Sequence, residues 1–571
     1  MTDGLGLGDA YDATLSRIKG QGGEKSRLGM DALMWISHSE RPLKADELCH
    51  ALAVRIGSTN LDADNVPSIG TLLACCQGLA AVDKEASTVR LIHFTVQEYL
   101  RVHPELFSST HSTIAETCLS YLNSQQVKAL PDSPSSDLQG TSFLEYSSLY
   151  WGMHAKRELS GCAKLLVLRL FNDYNDHISA KILLKAQEPY AQYIDFSKPY
   201  LFSGLHCASF FGIAEIVASL VEVEGCDINQ NDSAGNIPLL WAAQNGHESV
   251  VEILLGRSEV DPDKPDRFGR TPLSRAAGKG HEEVVKILLE RNGVSPDKPN
   301  NSDETPLFCA ARDGHEEVVK ILLDQDMVNP NKPDIDGHTP LWAAAFNGHE
   351  GVVKTLLGRS EVSPDEPNTD GETPLLWAAW NGHEGVVKIL VGRGDVDPDN
   401  SDYSGRTPLC CAARNGHEGV VKMLLGRDDI YPDNSDYSGR TPLWHAARNG
   451  HERVVKLLLG RDDVCPDNSD YSGRTPLCCA AWNGHEGVVK MLLGRDDVNP
   501  DKPDELGRTP LWWAAWNRRE GVVRILLRRD DVNPTKPDKS GLTPLWCASK
   551  LSHPGVIALL HSTVSAILST T

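Results

Sequence analysis

Eight histidines share one setting, Gly-His-Glu, at His247, His281, His315, His349, His383, His417, His451 and His485. Regularly spaced imidazoles could bind zinc, whose ligands must each come within about 2 Å of the ion. These lie on successive structural units, and packed helices stand roughly 8–10 Å apart. Neighbouring histidines would not readily share an ion, so their expected role is structural, at an inter-helix turn. A second candidate is Gly20-Gln21-Gly22-Gly23-Glu24-Lys25-Ser26, which resembles a phosphate-binding loop. That loop needs Gly-x-x-x-x-Gly-Lys-Ser/Thr so that its amides can wrap phosphates. Glu24 stands where the second glycine is required and no apolar strand leads in, so ATP binding is not expected. Cysteines pair only as neighbours, at Cys75-Cys76, Cys410-Cys411 and Cys478-Cys479. Adjacent cysteines bridge only with strain. No Cys-x-x-Cys, Gly-x-Ser-x-Gly or His-Glu-x-x-His occurs. The expectation is a non-enzymatic chain with no cofactor and no metal, and with reduced cysteines in a cytoplasmic or nuclear setting.

The elements that carry these residues repeat. Thr-Pro-Leu recurs from Thr271 through Thr305, Thr339, Thr373, Thr407, Thr441, Thr475 and Thr509 to Thr543. Ile237-Pro238-Leu239 and the degenerate Ser203-Gly204-Leu205 precede it, giving eleven units of fixed period, the mark of a solenoid. In the unit at Tyr403–Leu425, Gly405 suits a turn, Thr407 a helix N-cap and Pro408 the first helical position. Leu409, Ala412 and Ala413 give a short helix with a small-residue face, and Gly416 ends it. Val420, Val421, Leu424 and Leu425 give a second amphipathic helix. One such pair cannot bury its own apolar face, so neighbours must stack.

The Gly-x-Thr-Pro-Leu start, the Ala-Ala pair, Gly-His and Val-Val-x-x-Leu-Leu resemble the ankyrin family over about residues 200–560. The unit is one residue longer than the family's usual length, an excess assigned to the Pro/Asp-rich return loop. The histidine that often follows Thr-Pro-Leu is replaced, as by Trp342, Cys410 and Trp512. The resemblance implies that turn tips and first helices line a concave, ligand-binding side. Carried over residue by residue, it selects Phe268, Arg270, His338, Tyr403, Arg406, Tyr437, Arg440, Tyr471, Arg474 and Arg508 at the turns. On the first helices it selects Lys279, Arg312, Phe346, Trp380, Arg414, Arg448, Trp482 and Trp516. Aromatic residues and arginine dominate interface hot spots, and such a basic-aromatic strip suits a protein or peptide partner of acidic character. Near-copies of one unit repeat exposed residues automatically. Yet three units share Asp-Asn-Ser-Asp-Tyr-Ser-Gly-Arg-Thr-Pro-Leu and diverge where the first helix begins, at Cys410-Cys411, Trp444-His445 and Cys478-Cys479. Diversification of a contact face explains that pattern.

Ahead of the repeats, residues 11–107 read as a separate unit, after a flexible start at 1–10. Helices are expected over Leu28–Ile36, Ala45–Ala53 and Val66–Gln77, strands over Leu79–Val82 and Thr88–His93, and a closing helix over Thr95–Val102. This is a winged-helix arrangement. Arg41-Pro42-Leu43, Glu47-Leu48-x-His50-Ala51-Leu52 and Ile92-His93-Phe94-Thr95-Val96-Gln97-Glu98-Tyr99-Leu100 resemble the GPI inositol-deacylase winged helix. In fungi that module follows the NACHT domain of NOD-like (STAND) receptors. The resemblance implies no lipase. It places His93 where a related receptor's histidine meets nucleotide phosphate, with a structural histidine as the alternative. A helical connector is expected over 108–200, with a loop at 124–142 and helices over 143–156, 160–173 and 176–186. Ankyrin repeats follow at 201–561 and a tail at 562–571. The fold class is therefore mainly α.

Charge and hydropathy narrow the partners. Asp and Glu total 78 against 56 Lys and Arg, a formal charge of -22. Such a surface disfavours nucleic acid and anionic membranes, and Val66–Gln77 holds no Lys or Arg for reading DNA. The first ten residues lack a signal-peptide pattern, and no apolar run reaches membrane-spanning length. Two readings follow: the ankyrin ligand-sensing portion of a STAND receptor without its NACHT ATPase, or a stand-alone scaffold or adaptor in regulation of transcription or of a biosynthetic gene cluster.

Overall fold

The computed structural model describes residues 7–130, 141–186 and 201–570. The chain is mainly helical, with a single two-stranded sheet among the described residues. It divides into two compact units, residues 1–276 with 283–295, and residues 277–282 with 296–571.

The first unit opens with helices α1 (Leu7–Gly20), α2 (Gly23–His38), α3 (Ala45–Ala53) and α4 (Ile69–Cys75). Strands β1 (Ala80–Asp83) and β2 (Thr88–Leu91) pair antiparallel, Ala80 opposite Leu91, and α5 (Phe94–Val102) closes the winged helix. The expected order holds, with shifted bounds. Helix α4 starts only at Ile69, because Ser68 caps it by accepting the Thr71 amide. It stops at Cys75, where Gln77 (φ 49°) and Gly78 (φ 85°) turn the chain into β1. Leu33, Leu48, Leu72, Val89, Val96 and Leu100 form the core. The flexible start is corrected: α1 begins at Leu7, and residues 1–6 lie outside the described residues.

The connector comprises α6 (Thr110–Leu122), α7 (Gln125–Lys128), α8 (Leu144–Arg157), α9 (Gly161–Phe171) and α10 (Ile178–Lys185). The loop expected over 124–142 is helical at α7, where Ser124 accepts the Val127 amide. Residues 131–140 and 187–200 lie outside the described residues. Buried Trp151 meets Phe171 at 6.0 Å and Phe211 at 5.2 Å, binding the connector to the first repeat helix, Gly204–Phe211. A Cβ at Gly152 would stand 2.1 Å from the Phe211 ring, so this contact needs glycine. Beside it lies a buried polar cluster. His154 Nδ1 and His111 Nδ1 are 2.9 Å apart, and the Tyr146 hydroxyl is 3.0 Å from His154 Nε2.

The repeats are helix pairs. Within the second unit they run from Pro306–Asp313 with Glu316–Leu323 to Pro544–Lys550 with Pro554–Thr570. Each first helix starts as the sequence requires: Thr407 Oγ1 accepts the Cys410 amide at 3.2 Å and Pro408 occupies N1. Gly416 (φ 78°) caps its end. The paired alanines are fully buried, as Ala412 and Ala413, and Val420, Val421 and Leu424 bury the second helix. The Gly-His-Glu histidines prove structural in a specific way. The His417 ring donates to the Trp380 carbonyl of the preceding repeat at 2.8 Å, and His451 to that of Arg414 at 3.0 Å. Each ring packs on the preceding capping glycine, so the histidines join repeats as well as holding their own turn. The tail expected over 562–571 is corrected to helix as far as Thr570. Several other second helices end in Leu-Leu-Gly, as at Gly426 and Gly460, whereas His561 follows Leu560 and does not stop the helix.

Candidate functional site

Successive turns of the second unit form a ladder. The amide of Tyr403 donates to the Asp370 carbonyl, that of Tyr437 to Ser404 and that of Tyr471 to Ser438, at 3.0, 2.9 and 2.9 Å. A Cβ at Gly405 would lie 2.7 Å from the Tyr437 ring, so each tyrosine rests on the glycine of the turn before. The rings of Tyr403, Tyr437 and Tyr471 remain 71%, 69% and 72% exposed.

The first helices add a second row. Phe346 stacks on Trp342 at 5.2 Å and meets Trp377 at 5.0 Å, and Trp377 meets Trp380 at 5.8 Å. Trp482 stacks on Trp513 at 4.1 Å, and Trp516 on Trp512 at 5.2 Å. Guanidinium groups lie over these rings: Arg414 over Trp380 at 5.2 Å, Arg440 and Arg448 over Trp444 at 5.2 and 5.3 Å, Arg508 over Trp513 at 4.1 Å. Such cation–π contacts contribute roughly 0.5–2 kcal/mol each and hold the long side chains in place. The strip is thus a set of rigid aromatic plates edged by arginines.

The charge of the strip differs from a plain reading of its arginines. Arg406, Arg474 and Arg508 close on Asp402, Asp470 and Asp504 of their own turns, with Nε–Oδ2 distances of 2.5, 2.9 and 2.9 Å. Those aspartates are buried, and their other oxygen accepts turn amides. Arg312 pairs with Glu304 at 2.6 Å and with Asp313. His338 pairs with Asp334 at 3.0 Å and packs on Trp342 at 3.8 Å. Arg414 and Arg448 are exposed on their helices, and Lys279 is exposed too. Phe268 and Arg270 belong to the first unit, where Arg270 lies over the Phe268 ring at 4.6 Å and bonds Asp266 at 2.8 Å.

Two sets of residues escape a reading by residue type. Trp342, Trp377, Trp444, Trp512 and Trp513 are the plates on which the selected residues lie. The turn aspartates decide which arginine is neutralised. Both had a signal: tryptophans follow Thr-Pro-Leu, and each Asp stands four residues before its Arg.

Other candidate chemistry resolves into structure. His93 is exposed and caps α5, its Nδ1 accepting the Thr95 amide at 3.3 Å. Among the described residues, one group brings three residues of metal-ligand type together: Asp334, Asp336 and His338. There Asp334 Oδ1 already accepts the amides of Asp336 and His338, and Oδ2 faces the His338 ring, which accounts for the cluster as a turn. Eleven cysteines are buried, and burial raises the Cys410 thiol pKa to about 12 and that of Cys478 to about 11, so these stay protonated core groups. Cys162 and Cys465 are exposed and depart from that reading. No described helix is long and apolar enough to cross a membrane.

Family comparisons agree with this geometry. Residues 17–111 match the family described as GPI inositol-deacylase, winged helix domain. No curated protein matches the chain. Residues 205–300, 292–366, 357–436, 426–504 and 496–567 match Ankyrin repeats (3 copies). Ankyrin repeats are protein–protein interaction modules, and the chain belongs to the ankyrin-repeat family.

Proposed function

We propose that the chain is a non-catalytic recognition protein that binds an acidic protein or peptide on the face made of turn tips and first helices in the second unit. The observation that carries this reading is the register of Tyr403, Tyr437 and Tyr471, each about 70% exposed beside ordered tryptophan plates. Rigid aromatic anchors flanked by arginine are what interface energetics favours. The test is site-specific photocross-linking from Tyr437 and, separately, from Arg453 on a second helix. Adducts formed from Tyr437 and not from Arg453 support the reading; the reverse pattern sinks it.

The order winged helix, connector, ankyrin repeats supports a place in ligand sensing similar to that of the C-terminal part of STAND receptors. A scaffold joining two partners is the second reading. It is favoured by Ile92, Phe94 and Val102 of the winged helix, exposed at 55%, 65% and 70%. Phe94→Ser with Val102→Ser separates the two. Loss of one partner with retention of the Tyr437 adduct is the scaffold outcome.

A further inference from the structure

One turn of the ladder is wired differently from its copies. In the turns at Asp402, Asp470 and Asp504, the arginine four residues on closes on the aspartate. Asp436 has the same sequence around it, but its Oδ2 is taken by His445 Nε2 at 3.2 Å. Position nine after the aspartate makes the difference. It is Cys411 and Cys479 in the sister repeats, which leave the carboxylate to arginine, and Trp513 in a third, which shares it with Arg508. His445 is buried, and Arg414 and Arg440 both act on it electrostatically. Arg440 Nε is therefore buried without a hydrogen-bond acceptor. Its guanidinium shares the Trp444 ring with Arg448, so two cations flank one plate, and among the described residues neither has a carboxylate within ion-pair distance.

Resting on the reading above, we propose that Arg440, with Arg448 over the same Trp444 ring, is the anchor subsite for a carboxylate side chain of an acidic partner segment. Arg440 is half-buried with its Nε inside, and the terminal nitrogens of a planar guanidinium held by stacking suit a carboxylate's two oxygens. The neighbouring turns argue for a discrete anion over a polyphosphate. Arg406 and Arg474 on either side are already closed by Asp402 and Asp470, so the ladder offers one open cationic step and no continuous row. Exposed Tyr403, Tyr437 and Tyr471 then receive the apolar parts of the same segment.

The probe is a fluorescein-labelled octaglutamate peptide, titrated at low salt by fluorescence anisotropy against the full chain. Arg440→Gln and His445→Cys should each weaken binding about tenfold, the loss expected for a charged hydrogen bond. His445→Cys installs the residue that the sister repeats already accommodate, and it returns Asp436 to Arg440 without removing any cation. Arg453→Gln, an exposed arginine on a second helix, should change affinity less than twofold. Equal losses for Arg440→Gln and Arg453→Gln, or an unchanged His445→Cys, would overturn the subsite. So would absent octaglutamate binding, or tighter binding of octauridylate. None of these outcomes touches the cross-linking pattern from Tyr437, which tests the broader face.

Discussion

The first unit and the repeats of the second bury polar groups by opposite strategies. In the connector, the buried histidines each have a different set of partners: His154 meets Tyr146 and His111, and His177 meets the Leu122 carbonyl. In the second unit one arrangement is reused. Asp365, Asp399, Asp433, Asp467 and Asp501 each accept an amide of the next repeat, at 2.6, 2.7, 2.8, 2.9 and 2.7 Å. The repeated device spreads cohesion over nearest neighbours, whereas the unique device concentrates it where a single loss is costly.

The largest expected effect tests that concentration. Trp151→Ala removes a fully buried ring from between Phe171 and Phe211 and should cost about 3–5 kcal/mol. Hydrogen exchange should show lost protection across residues 144–186 and 201–221. Equal loss throughout residues 306–550 would break the comparison.

Acid should separate the units next. Burial is the main cause that pushes the His154 pKa down to about 3, and that of His177 to about 4. An unfolded histidine takes its proton near pH 6.5, so between that pH and the folded value the unfolded chain binds more protons. Stability of the first unit is therefore full above about pH 6.5 and falls as the pH drops, by about 2 kcal/mol at pH 5 from His154 alone. Asp365, Asp399, Asp433, Asp467 and Asp501 shift the other way: burial raises their pKa, so their protonation relieves an unfavourable charge. Exchange at pH 7.5 and pH 5 should show the first unit loosening and the second holding or tightening. Parallel loosening would remove the distinction.

The inter-repeat histidine offers a finer test. His451→Ala removes a donor from the Arg414 carbonyl and should cost about 1 kcal/mol. His451→Arg should cost less, because Arg519 occupies the equivalent position and donates to the Trp482 carbonyl at 3.1 Å. Thermal melts of both variants check the order. Equal losses would mean that ring packing on Gly416, and not the donated hydrogen, holds the repeats together.

The same contrast explains what the sequence made legible. Thr-Pro-Leu, Ala-Ala and Gly-His each act within a repeat or on its neighbour, so a fixed period announces them and the structure returns Thr407, Ala412 and Gly416 in their expected places. The hairpin and α3 were readable because their signals are local. The His154 cluster was not, since Tyr146 and His111 reach it by tertiary packing. In the strip, residue type identified arginines and aromatics correctly as neighbours. It did not tell neutralised Arg406 from open Arg440, because that choice is made by residue nine of each turn, across the turn-to-helix corner.

The smallest effect is expected from Arg453→Gly, and it probes how far the repeats are interchangeable. Elsewhere a glycine at this position lets the preceding repeat's glutamate sit against the next helix start: a Cβ at Gly419 would lie 1.8 Å from Glu384 Oε1, and one at Gly487 the same distance from Glu452 Oε1. At Arg453 the glutamate, Glu418, instead meets a guanidinium at 3.3 Å, with side chains 85% and 48% exposed. An exposed pair contributes about 0–1 kcal/mol, and glycine in a helix costs up to about 1 kcal/mol in backbone entropy. Close approach of Glu418 to the first amides of the 452–459 helix recovers part of that through its dipole. The net change should stay below about 1 kcal/mol in a urea titration, with octaglutamate affinity unchanged. A larger loss would show that Arg453 is a specific tie between its two repeats, making this interface of the stack a one-off like those of the connector.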